Sequence, residues 1–90
     1  MKTIWKYSLD VTGSQSIQMP ILSEMLNVQL QNKQLQLWVL VDQSGNPDKL
    51  EEFVTIHIYG TGHPIDEEYL EYINTFQEGR MVFHVFKSLK

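Results

Sequence analysis

Three features of the chain predict a mainly β fold. Apolar and polar residues alternate in short runs, turn-forming clusters recur about every eight to twelve residues, and Phe53–Tyr59 is rich in β-branched and aromatic residues. The expected architecture is an antiparallel sandwich or open barrel of six to seven short strands, with room for one short helix at Pro20–Leu26 or Ile65–Tyr72. Ninety residues provide for a single β-rich domain, 1–90, built on one core.

Taken in order, Trp5, Tyr7, Leu9 and Val11 fall on one face of a first strand, with Lys6, Ser8 and Asp10 on the other. Thr12-Gly13-Ser14-Gln15 is turn chemistry, and Ser16–Met19 reads as a short partner strand with Ile17 and Met19 inward. Pro20 ends that strand, because proline has no donor for a ladder. Ile21–Leu26 is a connection, or a helical turn opened by Pro20. Alternation resumes from Leu26, with Leu26, Val28 and Leu30 set against Asn27, Gln29 and Gln31. Asn32-Lys33 then makes a two-residue turn, for which lysine is a poorer second residue than glycine. Leu35, Leu37, Val39 and Val41 complete the clearest hairpin. Trp38 and Leu40 on the opposite face mark this arm as a central strand.

Ser44-Gly45-Asn46-Pro47-Asp48 is a loop by composition. In the following strand Val54, Ile56 and Ile58 face one way, and Phe53, Thr55, His57 and Tyr59 the other. Tyr69–Phe76 reads as a strand or a helical turn, either of which places Tyr69, Tyr72, Ile73 and Phe76 partly inside. After a turn at Glu78-Gly79, the last strand alternates Met81, Phe83 and Val85 with Val82, His84 and Phe86.

Composition excludes several chemistries. With no cysteine there are no disulfides, thiolate metal sites or thiol nucleophiles. Net charge is −4 and the seven Lys and Arg residues are scattered, which argues against direct nucleic-acid binding. No apolar run approaches the ~18 residues that a membrane helix needs, and the opening residues are too polar for a signal peptide. The expectation is an intracellular protein without membrane contact.

The densest cluster of special residues is Tyr59-Gly60-Thr61-Gly62-His63-Pro64. Its glycines permit positive φ and its proline fixes the exit, so it serves as a structural bend. Alternatively, Gly60, Thr61, Gly62 and His63 form a ligand loop of N–H groups and a ring, although the lysine and hydroxyl of a P-loop are missing. His57, His63 and His84 match no local metal motif. His57 and His84 read as half-buried strand residues, each making one hydrogen bond, and no metal or cofactor is expected. No nucleophile elbow or separated carboxylate pair points to hydrolysis, so no catalytic residue is assigned. Asp66, Glu67, Glu68 and Glu71 are either a solvated face or a negative patch that docks on basic groups of a partner. Tyr69 and Tyr72 beside them fit either a core or an interface.

Across nearly the whole chain, "MKTIWKYSLDVT", "SIQMP", "ILSEMLNVQLQN", "LWVLVD", "IYGTGHPI" and "EYINTFQEGRMVFHVF" resemble a family of short proteins encoded by tailed bacteriophages and prophages. That family has no settled activity. The resemblance implies an origin, a size and a host-cell cytoplasmic setting, and transfers no catalytic residue. By analogy it implies a non-enzymatic accessory protein that binds a host protein, such as a nucleic-acid-binding defence factor, in the manner of an anti-CRISPR. The alternatives are a small-molecule binder, for example a nucleotide-binding sponge, with its site between subunits of a homo-oligomer, and a virion or morphogenesis component.

Overall fold

In a computed structural model describing residues 1–90, the alternating runs become seven strands. They are β1 (Lys2–Leu9), β2 (Ser14–Pro20), β3 (Glu24–Gln31), β4 (Gln34–Asp42), β5 (Glu51–Gly60), β6 (Leu70–Glu78) and β7 (Met81–Ser88). Two antiparallel sheets form, ordered β1-β4-β3 and β2-β5-β7-β6. They stack as a sandwich rather than a closed barrel, with overall extents of 43 × 32 × 15 Å.

Local chemistry explains the hairpins. Asn32 and Lys33 reverse the chain between β3 and β4 with φ of 51° and 68°, the geometry that a two-residue hairpin turn requires. Gly79 takes φ 59° between β6 and β7. β4 is a central strand, flanked by β1 and β3. It buries Leu35, Leu37, Val39 and Val41 inward, and on its outer face Trp38 and Leu40 are half-buried.

The core lies between the sheets. Val28 and the four inward residues of β4 pack against Met19, Val54, Ile56, Ile58, Phe76 and Val85. Phe76 and Phe83 stack with centroids 5.2 Å apart. Two carboxamides stitch the edges where one sheet meets the other. Asn74 on β6 accepts from the Val28 N–H and donates to the Val28 carbonyl, both at 2.7 Å. Gln15 on β2 does the same for Asp10, at 3.0 and 2.6 Å. Each side chain imitates a neighbouring strand for one residue and satisfies backbone groups that the sheet leaves unpaired.

Four sequence expectations are corrected. β2 is not the partner of β1: β1 pairs with β4 and β2 with β5, so residues 10–13 cross between sheets instead of closing a hairpin. Neither Pro20–Leu26 nor Ile65–Tyr72 is helical; the one helical element is a 3-10 turn at Gln43–Gly45. The alternation of β3 does not start at Leu26. A bulge between Met25 and Asn27 turns Leu26 outward, and Met25 packs on the core in its place. Val11 lies past the end of β1 and is exposed. Sequence spacing conceals both bulge and crossover, because each depends on which strand lies alongside.

Candidate functional site

The outer face of the four-stranded sheet gathers the polar-side residues of β5, β6 and β7. A second bulge, between Tyr72 and Asn74, shifts the parity of β6, so that Tyr72 and Thr75 both face outward while Phe76 is buried. Tyr69 and Tyr72 are therefore exposed, at 52% and 56%, and not partly inside. Pairing sets Ser14 beside His57, His57 beside Phe86 and Phe86 beside Tyr72, in one row across all four strands. In the next row Tyr59 lies beside His84, and His84 beside Thr75.

Aromatic contacts run along this surface. His57 stacks on Tyr59 with centroids 6.2 Å apart and planes inclined by 9°. Phe86 meets Tyr59 edge-on at 5.9 Å and Tyr72 at 5.5 Å. A chain of hydrogen bonds fixes the second row: Tyr72 Oη to Thr75 Oγ1 at 2.6 Å, Thr75 Oγ1 to His84 Nδ1 at 3.0 Å, and His84 Nε2 to Thr61 Oγ1 at 2.8 Å. His84 thus makes two hydrogen bonds, not one, whereas His57 is held by stacking. Both nitrogens of the His84 ring are occupied by hydroxyls, and no three His, Asp or Glu side chains converge as metal ligands.

Acidic groups border the face. Asp66, Glu67 and Glu68 lie in the exposed segment between β5 and β6, whereas Glu71, at the start of β6, is in register with Lys87 and through it with the buried Ile56, so it points to the opposite side of the sheet from Tyr72. The Tyr59 phenol is raised above its ordinary value of 10.0 by burial, and further by the charges of Asp66 and Glu67. The acidic segment thus acts on the aromatic face directly. The Lys90 ammonium lies 4.0 Å from the Tyr69 ring centroid, and the Leu89 N–H donates to the Tyr69 carbonyl at 2.8 Å. Where β5 outruns β7, Phe53, Thr55, Lys87, Ser88 and Lys90 line an open groove of about 200 Å³.

The loop Gly60–Pro64 is a folded bend. The His63 N–H donates to the Gly60 carbonyl at 3.1 Å, and the Thr61 N–H donates to the Val82 carbonyl at 3.1 Å. Gly62 takes φ 88°. The His63 ring rests on Gly60, where an added Cβ would lie 2.9 Å from its Cε1 atom. Two of the N–H groups that a ligand nest would use are thereby engaged within the chain.

Sequence reasoning named the acids and the two tyrosines, and it grouped Phe53, His57 and Tyr59 on one face. It missed Thr61, Thr75, His84 and Phe86 as parts of the same surface. Period-two alternation put His84 and Phe86 on one side of β7, but only the β5–β7–β6 pairing brings the three strands' outer residues together.

Fold and surface define a small antiparallel β-sandwich that presents an aromatic, largely uncharged sheet face with an acidic border. The chain belongs to the family described as a domain of unknown function (DUF7352), whose model matches residues 1–90. Neither the curated proteins nor the solved structures contain a significant match to it.

Proposed function

We propose that this is a non-enzymatic binding protein whose contact surface is the outer face of the β2-β5-β7-β6 sheet together with the acidic residues Asp66, Glu67 and Glu68. One observation carries the reading. Solvated sheet faces normally bear charged side chains, whereas here the outward positions from His57 and Tyr59 through His84 and Phe86 to Tyr72 and Thr75 bear none. Depletion of charge at the centre and enrichment in Tyr, Phe and other aromatics is the composition of interface cores, with charge kept for the rim.

The acidic rim selects the partner's chemistry: a protein surface with an apolar centre ringed by Lys and Arg. A host factor whose basic site normally holds nucleic acid has that chemistry. This reading takes the partner to be such a defence factor, as the phage resemblance implies, and the protein's role to be occupancy of its basic site. The nucleotide-binding alternative at Gly60–His63 is less favoured, because that loop's own turn and the Val82 carbonyl use the Thr61 and His63 N–H groups.

The test is site-specific photocrosslinking in host cells from a benzophenone side chain at Tyr72, with the exposed Leu22 as control position. The reading requires a product specific to Tyr72. It also requires that reversing Asp66, Glu67 and Glu68 to Lys weakens binding of that product by at least about tenfold and abolishes its salt dependence. Equal binding by the reversed variant, or the same products from Leu22, would refute it.

A further inference from the structure

We propose that the free edge of β1 is a self-association site, at which two copies of this chain pair antiparallel about a two-fold axis through Trp5. The sandwich has four sheet edges. Those of β3 and β6 face each other and are joined through Asn74. β2 ends in Pro20 and is tied to Asp10 by Gln15. β1 is different. It pairs with β4 through eight successive residues without a bulge, and contains no proline or inward-facing charge. No hydrogen bond within the chain reaches the N–H and C=O groups that residues 2–8 direct away from β4. Such an edge is a template for another strand.

Lysines often guard exposed edges, but Lys6 does not guard this one. Its ammonium reaches across β4 to Gln31 on β3, at 3.0 Å, away from the open side. Meanwhile Trp5, on the core-facing side of β1, remains 39% exposed because the opposite sheet does not cover it. Ile4, on the outer side, is 57% exposed.

Register selects a second copy as the occupant. In antiparallel pairing, opposed residues share a face, so two equivalent inner faces stay continuous only if opposed residue numbers sum to an even value. Two such registers overlap by seven residues. One places Lys6 against Lys6 of the other copy, a like-charge pair that destabilises a sheet. The other places Trp5 against Trp5, Thr3 against Tyr7 and Ile4 against Lys6, with no lysine opposite a lysine. In this register the exposed indole is covered by its own counterpart and a six-stranded sheet, β3-β4-β1-β1-β4-β3, results. The acidic segment 66–71 adjoins β6, on the opposite side of the sandwich from β1, so two chains of charge −4 meet at their least acidic edges. The aromatic face stays open on both copies, which would present it twice.

The test combines sedimentation equilibrium with register-specific charge changes. Wild type should show a concentration-dependent monomer–dimer equilibrium. Ile4→Lys, which sets two lysine pairs in opposition, should raise the dissociation constant by about 2- to 30-fold. Adding Lys6→Glu to it should restore association, with circular dichroism confirming that each variant is folded. Because the chain has no cysteine, Trp5→Cys should yield a covalent dimer on mild oxidation, since opposed Cα atoms in this pairing lie within disulfide reach. Ser16→Cys on β2 should not. A chain that stays monomeric to about millimolar concentration would overturn the proposal. So would a dimer indifferent to Ile4→Lys, or one that crosslinks equally from Ser16→Cys.

Discussion

Asn74→Ala is the sharpest probe of how the two sheets are held together. The Asn74 carboxamide makes two hydrogen bonds of 2.7 Å to the backbone of Val28, whose side chain is fully buried in the core. A net contribution of about 0.5–1.5 kcal/mol per bond gives about 1–3 kcal/mol for the pair. The upper end applies where the Val28 groups stay dry and unpaired after truncation. For a domain of this size a loss of ~2 kcal/mol corresponds to a fall in Tm of roughly 8–16 °C. Thermal and urea denaturation followed by circular dichroism would measure it, with Gln77→Ala on the same strand as control. Amide exchange at Val28 should accelerate at least tenfold in the variant. Asn74→Asp separates geometry from charge. The carboxylate still accepts from the Val28 N–H but faces the Val28 carbonyl without a proton to donate, so it should destabilise at least as much at pH 7. The deficit should shrink below about pH 4, where a protonated carboxyl donates again. Equal Tm values for Asn74→Ala and the control, with Val28 protection unchanged, would refute the clasp as the joint between the sheets.

Three further outcomes follow from local geometry. Lys33→Gly should stabilise the domain by about 0.5–1 kcal/mol in denaturant titration, since Lys33 is held at φ 68° and glycine relieves that strain at some entropic cost. Gly60→Ala should destabilise by about 1 kcal/mol because its methyl meets the His63 ring, and the loss should vanish in a His63→Ala background, a coupling that a double-mutant cycle reads out. The Tyr7 and Tyr59 phenols are both held above 10.0, Tyr7 by burial and then by the charge of Glu51. Folding thus disfavours their ionised forms. Their contribution is complete below the unfolded value near pH 10 and disappears as pH rises through the higher folded values. Tyr7→Phe and Tyr59→Phe should each flatten the decline of the urea midpoint above pH 10, and an unchanged decline in the double variant would contradict the assignment.

Much of this architecture is legible in the order of residues, and the reason is the period of two. An extended backbone sends neighbouring side chains to opposite sides, so the two faces of β4, β5 and β7 were readable as separate sets, and the fold decided which set is buried. The turns at Asn32-Lys33 and Gly79 were readable as well, since few residues accept positive φ. Parity failed at β3 and β6, where one extra residue each, at Leu26 and Ile73, slips the alternation. A bulge is defined by two residues facing one on the neighbouring strand, and the neighbour is not written locally.

Sequence by itself determined which segments are extended, where the chain reverses, that no thiol is present and where the acids cluster. Tertiary structure alone decided that β1 and β2 part company into different sheets, that Tyr72 faces water, and that His84, Thr75, Thr61 and Phe86 share a surface with His57 and Tyr59. The physical reason is that short-range sterics and side-chain polarity act within a few residues. Strand neighbours are chosen instead by burial of the whole core and by the last unpaired backbone groups, here met by Asn74 and Gln15.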